Sequence, residues 1–102
     1  MSNWNGSLDR TMLIKVRKAN PLGGHRLAIE FSDDTVGERD FSFVAAETGP
    51  MLEPLKDPAY FRRVFVEDGV MIWPNGYDWD PIALHDEMQA AGELRPVGDA
   101  AE

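Results

Sequence analysis

Ile14 and Val16 continue from Met12 in alternation with Leu13, Lys15 and Arg17, the two-residue period of a strand buried on one face. The run Asn20-Pro21-Leu22-Gly23-Gly24 is expected to end that strand, because proline fixes φ and paired glycines permit positive φ. Leu27, Ile29 and Phe31 then share one face of a second strand, with Arg26, Ala28, Glu30 and Ser32 on the other. Asp33-Asp34 turns the chain into a third short strand over about residues 35–40. The first half therefore predicts an antiparallel meander of three strands.

The middle of the chain changes character. Gly49, Pro50 and Pro54 argue against a long helix over residues 41–54, leaving room for a short turn near residues 44–46. Asp57-Pro58 is a helix start: the aspartate accepts from free backbone N–H groups, and proline at the first helical position loses no hydrogen bond. The helix is expected to reach about residue 63, with Tyr60, Phe61 and Val64 on its apolar side.

Val64-Phe65-Val66-Glu67 and Val70-Met71-Ile72-Trp73 flank Asp68-Gly69, a strong signal for a two-residue hairpin loop. That loop pairs Glu67 with Val70, Val66 with Met71, Phe65 with Ile72 and Val64 with Trp73. One face is then Phe65, Val70 and Ile72, and the other is Val64, Val66, Met71 and Trp73. Both are apolar, so cover is expected on both sides, from this domain or from another chain. Asp80-Pro81 repeats the helix start, Leu84, Met88 and Ala91 follow helical spacing, and Gly92 suits the C-terminal cap. The whole predicts an α+β fold: an antiparallel meander of about three strands, a β-hairpin and two short helices in one small domain.

A length of 102 residues fits one domain. Residues 11–92 carry the patterned part, and the polar, aperiodic stretches 1–10 and 93–102 are expected to be flexible tails. There are no cysteines, which removes disulfides and thiolate metal sites. The first residues show neither a basic region nor an apolar run, so no signal peptide is expected. No apolar stretch approaches the roughly 20 residues of a membrane helix, and a cytoplasmic location fits these features.

Charge narrows the choice of partners. The formal net charge is -8 at pH 7, which opposes the phosphate backbone of a nucleic acid. Up to Arg26 five bases face one acid, whereas from Leu27 onward five bases face 17 acids. The bases of the first strands are either a solvated strand face or a small docking patch.

The segment Trp73-Pro74-Asn75-Gly76-Tyr77-Asp78-Trp79-Asp80 concentrates aromatic rings and carboxylates. Trp73, Asn75, Tyr77, Asp78, Trp79 and Asp80 form the candidate partner- or ligand-binding set, with rings to stack and acids to fix polar groups. The alternative is a tight turn at Asn75-Gly76 and a helix cap at Asp80, with the rings packed beneath. His25 and His85 lie far apart in sequence, without the close spacing of a zinc site. Asn75, Asp78 and Asp80 lack the carboxylate ladder of a calcium loop. Ser7, Ser32 and Ser42 stand in no nucleophile-elbow sequence, and Gly23-Gly24 and Gly76 precede no Gly-Lys-Ser/Thr run. The expectation is a protein without catalytic residues, metal or cofactor.

Leu27-x-Ile29-x-Phe31-Ser32-Asp33, Gly37 and Asp40, Leu55-Lys56-Asp57-Pro58 with Phe61, and Ile72-Trp73-Pro74-Asn75-Gly76 followed by Asp78, Asp80-Pro81 and Leu84 together resemble the bacterial domain-of-unknown-function family numbered 2442. The resemblance covers about residues 12–88, and the Trp-Pro-Asn-Gly segment is its most specific part. Asp34 departs from it, since relatives commonly carry glycine there, and this leaves the type of the Asp33-Asp34 turn open. The resemblance implies a small α+β protein without an assigned activity, often encoded beside a small partner in arrangements like toxin–antitoxin pairs. Some relatives append a helix-turn-helix domain, for which this chain has no room, so no direct nucleic-acid binding is expected. The functional expectation is a protein-interaction module, antitoxin-like, with a small basic protein partner. A small-ligand domain using the loop 73–80 is the alternative, and sheet edges that pair two copies would make a homodimer.

Overall fold

The computed structural model describes residues 14–97; the expected N-terminal tail, Met12 and Leu13 lie outside them, as does the chain beyond Val97. Strands β1 (Val16–Gly23), β2 (Arg26–Phe31) and β3 (Thr35–Asp40) form the expected antiparallel meander. Leu27, Ile29 and Phe31 are fully buried on its inner face, as their alternation requires. The strand β1 does not stop at Asn20-Pro21. It runs through Pro21, which stands opposite Leu27, and the register shifts between Pro21 and Gly23. An outer strand tolerates proline because its missing N–H subtracts no bond from a neighbour on the open side.

The turn into β3 is built around Asp34. Asp34 N–H donates to the Phe31 carbonyl at 3.1 Å, and Asp34 adopts a φ of 68°, a left-handed conformation that aspartate tolerates better than most residues. The charged outer face of the sheet is a set of paired ions. Arg17 meets Glu30 at 2.9 Å and Asp34 at 2.7 Å, and Arg26 meets Glu38 at 2.7 Å. Those arginines belong to a solvated strand face, and such exposed pairs add little stability.

A 3-10 turn at Ser42–Ala45 buries Val44, and a second at Pro54–Lys56 buries Leu55. Helix α1 (Pro58–Phe61) starts on the Asp57 cap, whose side chain accepts from Ala59 N–H. It is shorter than its sequence suggests, ending at an Arg62 cap. Its single turn buries Phe61, and a longer helix would displace the hairpin that follows.

Strands β4 (Phe65–Glu67) and β5 (Val70–Ile72) pair in the expected register, Phe65 with Ile72, Val66 with Met71 and Glu67 with Val70. Asp68 and Gly69 both have positive φ, 57° and 81°, the signature of a type I′ loop. Part of the expected loop 73–80 is instead a third strand, β6 (Asp78–Trp79), which pairs with β5 through Trp79–Met71 and Asp78–Ile72. The backbone closes over a β-turn in which Gly76 N–H donates to the Trp73 carbonyl at 2.8 Å and Trp73 N–H to the Tyr77 carbonyl at 2.9 Å. That geometry returns the chain alongside β5.

Helix α2 (Pro81–Ala90) buries Leu84, His85 and Met88. It ends as the sequence suggests, with Gly92 at φ 72°. The N–H groups of Gly92 and Glu93 donate to the Gln89 and Met88 carbonyls, a Schellman arrangement. The chain then reaches β7 (Arg95–Pro96), which pairs with the outer edge of β3. Residues 95–96 thus belong to the four-stranded sheet, although they fall in the stretch expected to be a tail. Leu27, Phe41, Phe61, Met71, Trp73 and Leu84 meet in one buried cluster drawn from both sheets and both helices.

Candidate functional site

The candidate loop residues are distributed by the packing of the hairpin sheet. Trp73 is 1% exposed, and its indole N–H donates to the Phe61 carbonyl at 2.8 Å. Its ring lies against Phe61 at 5.3 Å and Tyr77 at 5.6 Å. Asn75 donates to the Met51 carbonyl at 3.0 Å and accepts from Tyr77 N–H at 3.2 Å, so it ties the turn to the segment before α1. Asp80 accepts from Ile82 N–H at 3.2 Å as the cap of α2. Trp79 is half-buried and sets its ring edge-on to Phe41 at 5.6 Å and Phe43 at 6.0 Å.

Tyr77 is half-buried, and burial pushes its phenol above the ordinary range, opposed by the Trp79 N–H. Among the described residues that N–H is buried and meets no partner in hydrogen-bond geometry. Among the described residues Asp78 makes no hydrogen bond or ion pair through its side chain, and it is exposed. The rings therefore pack beneath the loop, and the set does not come together as an open shelf.

The register of the three short strands builds a different surface. Residues paired across an antiparallel sheet point to the same face. Val66, Met71 and Trp79 point inward and pack on the core. Phe65, Ile72 and Asp78 stand abreast on the opposite face, with Glu67 and Val70 in the next row. Phe65 is 42% exposed, and Val70 and Ile72 are half-buried. The pattern calls for cover on both faces, from this domain or another chain; among the described residues the inner face is covered in full and the outer face in part, with the Lys15 side chain against its Gly69 end. Glu67 and Asp68 are exposed, and like Asp78 they enter no ion pair among the described residues.

A second polar constellation joins the two halves of the fold. His85 is 8% exposed, with Nε2 at 2.9 Å from Oδ2 of Asp33 and its ring edge-on to Phe31 at 5.0 Å. Oδ1 of Asp33 accepts from the Thr35 hydroxyl at 2.6 Å. Partial burial works to raise the Asp33 carboxyl, and the hydrogen bonds from Thr35 and His85 outweigh it, leaving the group below the usual carboxylate range. The pair anchors α2 to the β2–β3 turn. His25 serves a similar purpose elsewhere, with Nε2 at 2.8 Å from the Leu55 carbonyl. Among the described residues no group of three or more His, Asp or Glu side chains is placed to hold a metal ion, and no helix is long and apolar enough to cross a membrane.

Sequence reasoning missed the Asp33–His85 pair, because 52 positions separate them and neither stands in a motif. The uncovered hairpin face did have a signal, the apolar character of both faces, yet the aromatic loop drew the candidate residues instead.

These features define a small α+β domain of two antiparallel sheets with one apolar face left open. The chain belongs to the family described as protein of unknown function, DUF2442, whose model matches residues 16–89. That match runs from the start of β1 to the penultimate residue of α2. No curated protein and no solved structure matches the chain.

Proposed function

We propose that this chain is a non-catalytic protein-interaction module, the antitoxin-like member of a two-protein pair that holds a small basic protein. The observation that carries this reading is the open face of the hairpin sheet, where Phe65 is 42% exposed beside half-buried Val70 and Ile72. A single exposed apolar residue is ordinary, but Phe65, Ile72 and Val70 adjoin one another on one face of the sheet, which supports an interaction surface. The net charge of -8 favours encounter with a basic protein over an acidic one. The loop 73–80 as a small-ligand shelf has less support, since Trp73 lies in the core and Asn75 and Asp80 are spent on the turn and the cap.

Affinity purification of the full chain from its native host at low salt, followed by mass spectrometry, tests the reading. One small basic protein is expected in equal amount, and a folded Phe65→Asp variant is expected to lose it. A chain that comes out alone overturns the proposal.

A further inference from the structure

We infer that the open face of the β4–β5–β6 sheet receives a basic amphipathic helix of the partner, an inference that rests on the interaction reading above. The sheet register supplies the pattern. Phe65 and Glu67 alternate along β4, Ile72 and Val70 along β5, and Asp78 stands beside Ile72 on β6. Phe65, Ile72 and Val70 therefore form an apolar patch, and Glu67 and Asp78 occupy opposite corners of it. With strands about 4.8 Å apart and about 3.4 Å per residue, the two corner residues are separated by roughly 12 Å.

That spacing fits one face of a helix. Two cations seven residues apart on one helix face are separated by about 10.5 Å along the axis, within the reach of flexible lysine or arginine side chains. Apolar residues three and four positions after the first cation point to the same face and would sit on Phe65, Val70 and Ile72. Asp68 is exposed at the hairpin tip, beside Gly69, against which the Lys15 side chain lies. Among the described residues none of the three acids has an ion-pair partner, so a cation arriving there displaces no existing bridge. An acidic or uncharged apolar segment would bury these carboxylates without compensation. The pattern in the partner is thus cation-x-x-apolar-apolar-x-x-cation.

The test is a heteronuclear NMR titration of the full-length chain with an alanine-based peptide carrying Lys-Ala-Ala-Leu-Leu-Ala-Ala-Lys. Two controls replace its lysines by glutamate or its leucines by serine. The expected result is saturable binding of the lysine–leucine peptide alone, with amide shifts concentrated at residues 65–72 and 78. Phe65→Ser is expected to weaken it about tenfold or more, as for a central anchor, with a dispersed spectrum showing the fold intact. The double variant Glu67→Gln, Asp78→Asn is expected to weaken it several-fold and to flatten its salt dependence.

Equal binding of the glutamate or serine control overturns the inference, as do shifts centred elsewhere or no binding of the lysine–leucine peptide. Two other occupants of the face would also overturn it. Nuclear Overhauser contacts from residues 1–13 to Phe65 in the free chain would assign the face to the chain's own N-terminal segment. Concentration-dependent shifts of the same amides without peptide would assign it to a second copy. Capture of a partner that Phe65→Asp releases, together with a failed titration, leaves the interaction reading standing and removes only the helix.

Discussion

The indole N–H of Trp73 donates to the carbonyl oxygen of Phe61 at 2.8 Å, fully inside the protein. The bond joins the end of β5 to the end of α1 and satisfies a carbonyl at a helix terminus, where the last C=O groups lack partners within the helix. The most conspicuous aromatic of the candidate loop is in this way a structural bolt.

Trp73→Phe keeps an aromatic ring and removes the donor. The Phe61 carbonyl then keeps only the longer bond from Val64 N–H at 3.3 Å. Losing the indole bond costs about 0.5–1.5 kcal/mol, and the smaller ring leaves a void that adds to it. Thermal unfolding is expected to shift down by roughly 4–8 °C for each kcal/mol in a domain this size. A melting temperature equal to wild type would show that the bond contributes nothing.

The Asp33–His85 pair predicts an acid-side dependence of stability. Asp33 is held below the usual carboxylate range in the folded state, so the unfolded chain takes up its proton at higher pH than the folded one does. Its contribution is fully present above the unfolded value, about pH 3.9, and is lost as pH falls through the lower folded value. Chemical denaturation across this window is expected to show wild-type stability falling more steeply than that of Asp33→Asn. Parallel curves would mean that the carboxylate is not the titrating anchor.

Gly37 has a packing reason to be glycine. A Cβ there would run into the carbonyl oxygen of Glu93 and come within 3.1 Å of the Met88 methyl, where the end of α2 crosses β3. Backbone cannot yield as a flexible side chain does, so Gly37→Ala is expected to cost about 1–3 kcal/mol, the usual range for overpacking. Denaturant titration reads the loss, and increased amide exchange at the end of α2 would locate it. No loss would mean that the helix end moves freely.

Hairpin register, both aspartate–proline helix starts and the Gly92 cap were legible because each is written in neighbouring residues. Local steric rules decide them before any tertiary contact forms. The continuation of β1 through Pro21 was not legible, since proline reads as a breaker unless the strand is known to lie at a sheet edge. Strands β6 and β7 were missed because each spans two residues, too few for a period to show. The candidate site suffered from a similar limit. Ring-rich composition cannot tell a surface from a core lining, and Trp73, Tyr77 and Trp79 are drawn inward by Phe41, Phe43 and Phe61. The apolar face of Phe65, Val70 and Ile72 was visible as a pattern, but which face the domain itself would cover depends on how the two sheets meet.

Hydrogen exchange on the captured complex is the direct test of whether the chain holds a protein on the open hairpin face. Slower amide exchange is expected at residues 65–72 and 78–79 on complex formation, with the outer face of β1, β2 and β3 unchanged. Protection confined to that outer face, or to the loop at residues 73–77, would contradict it.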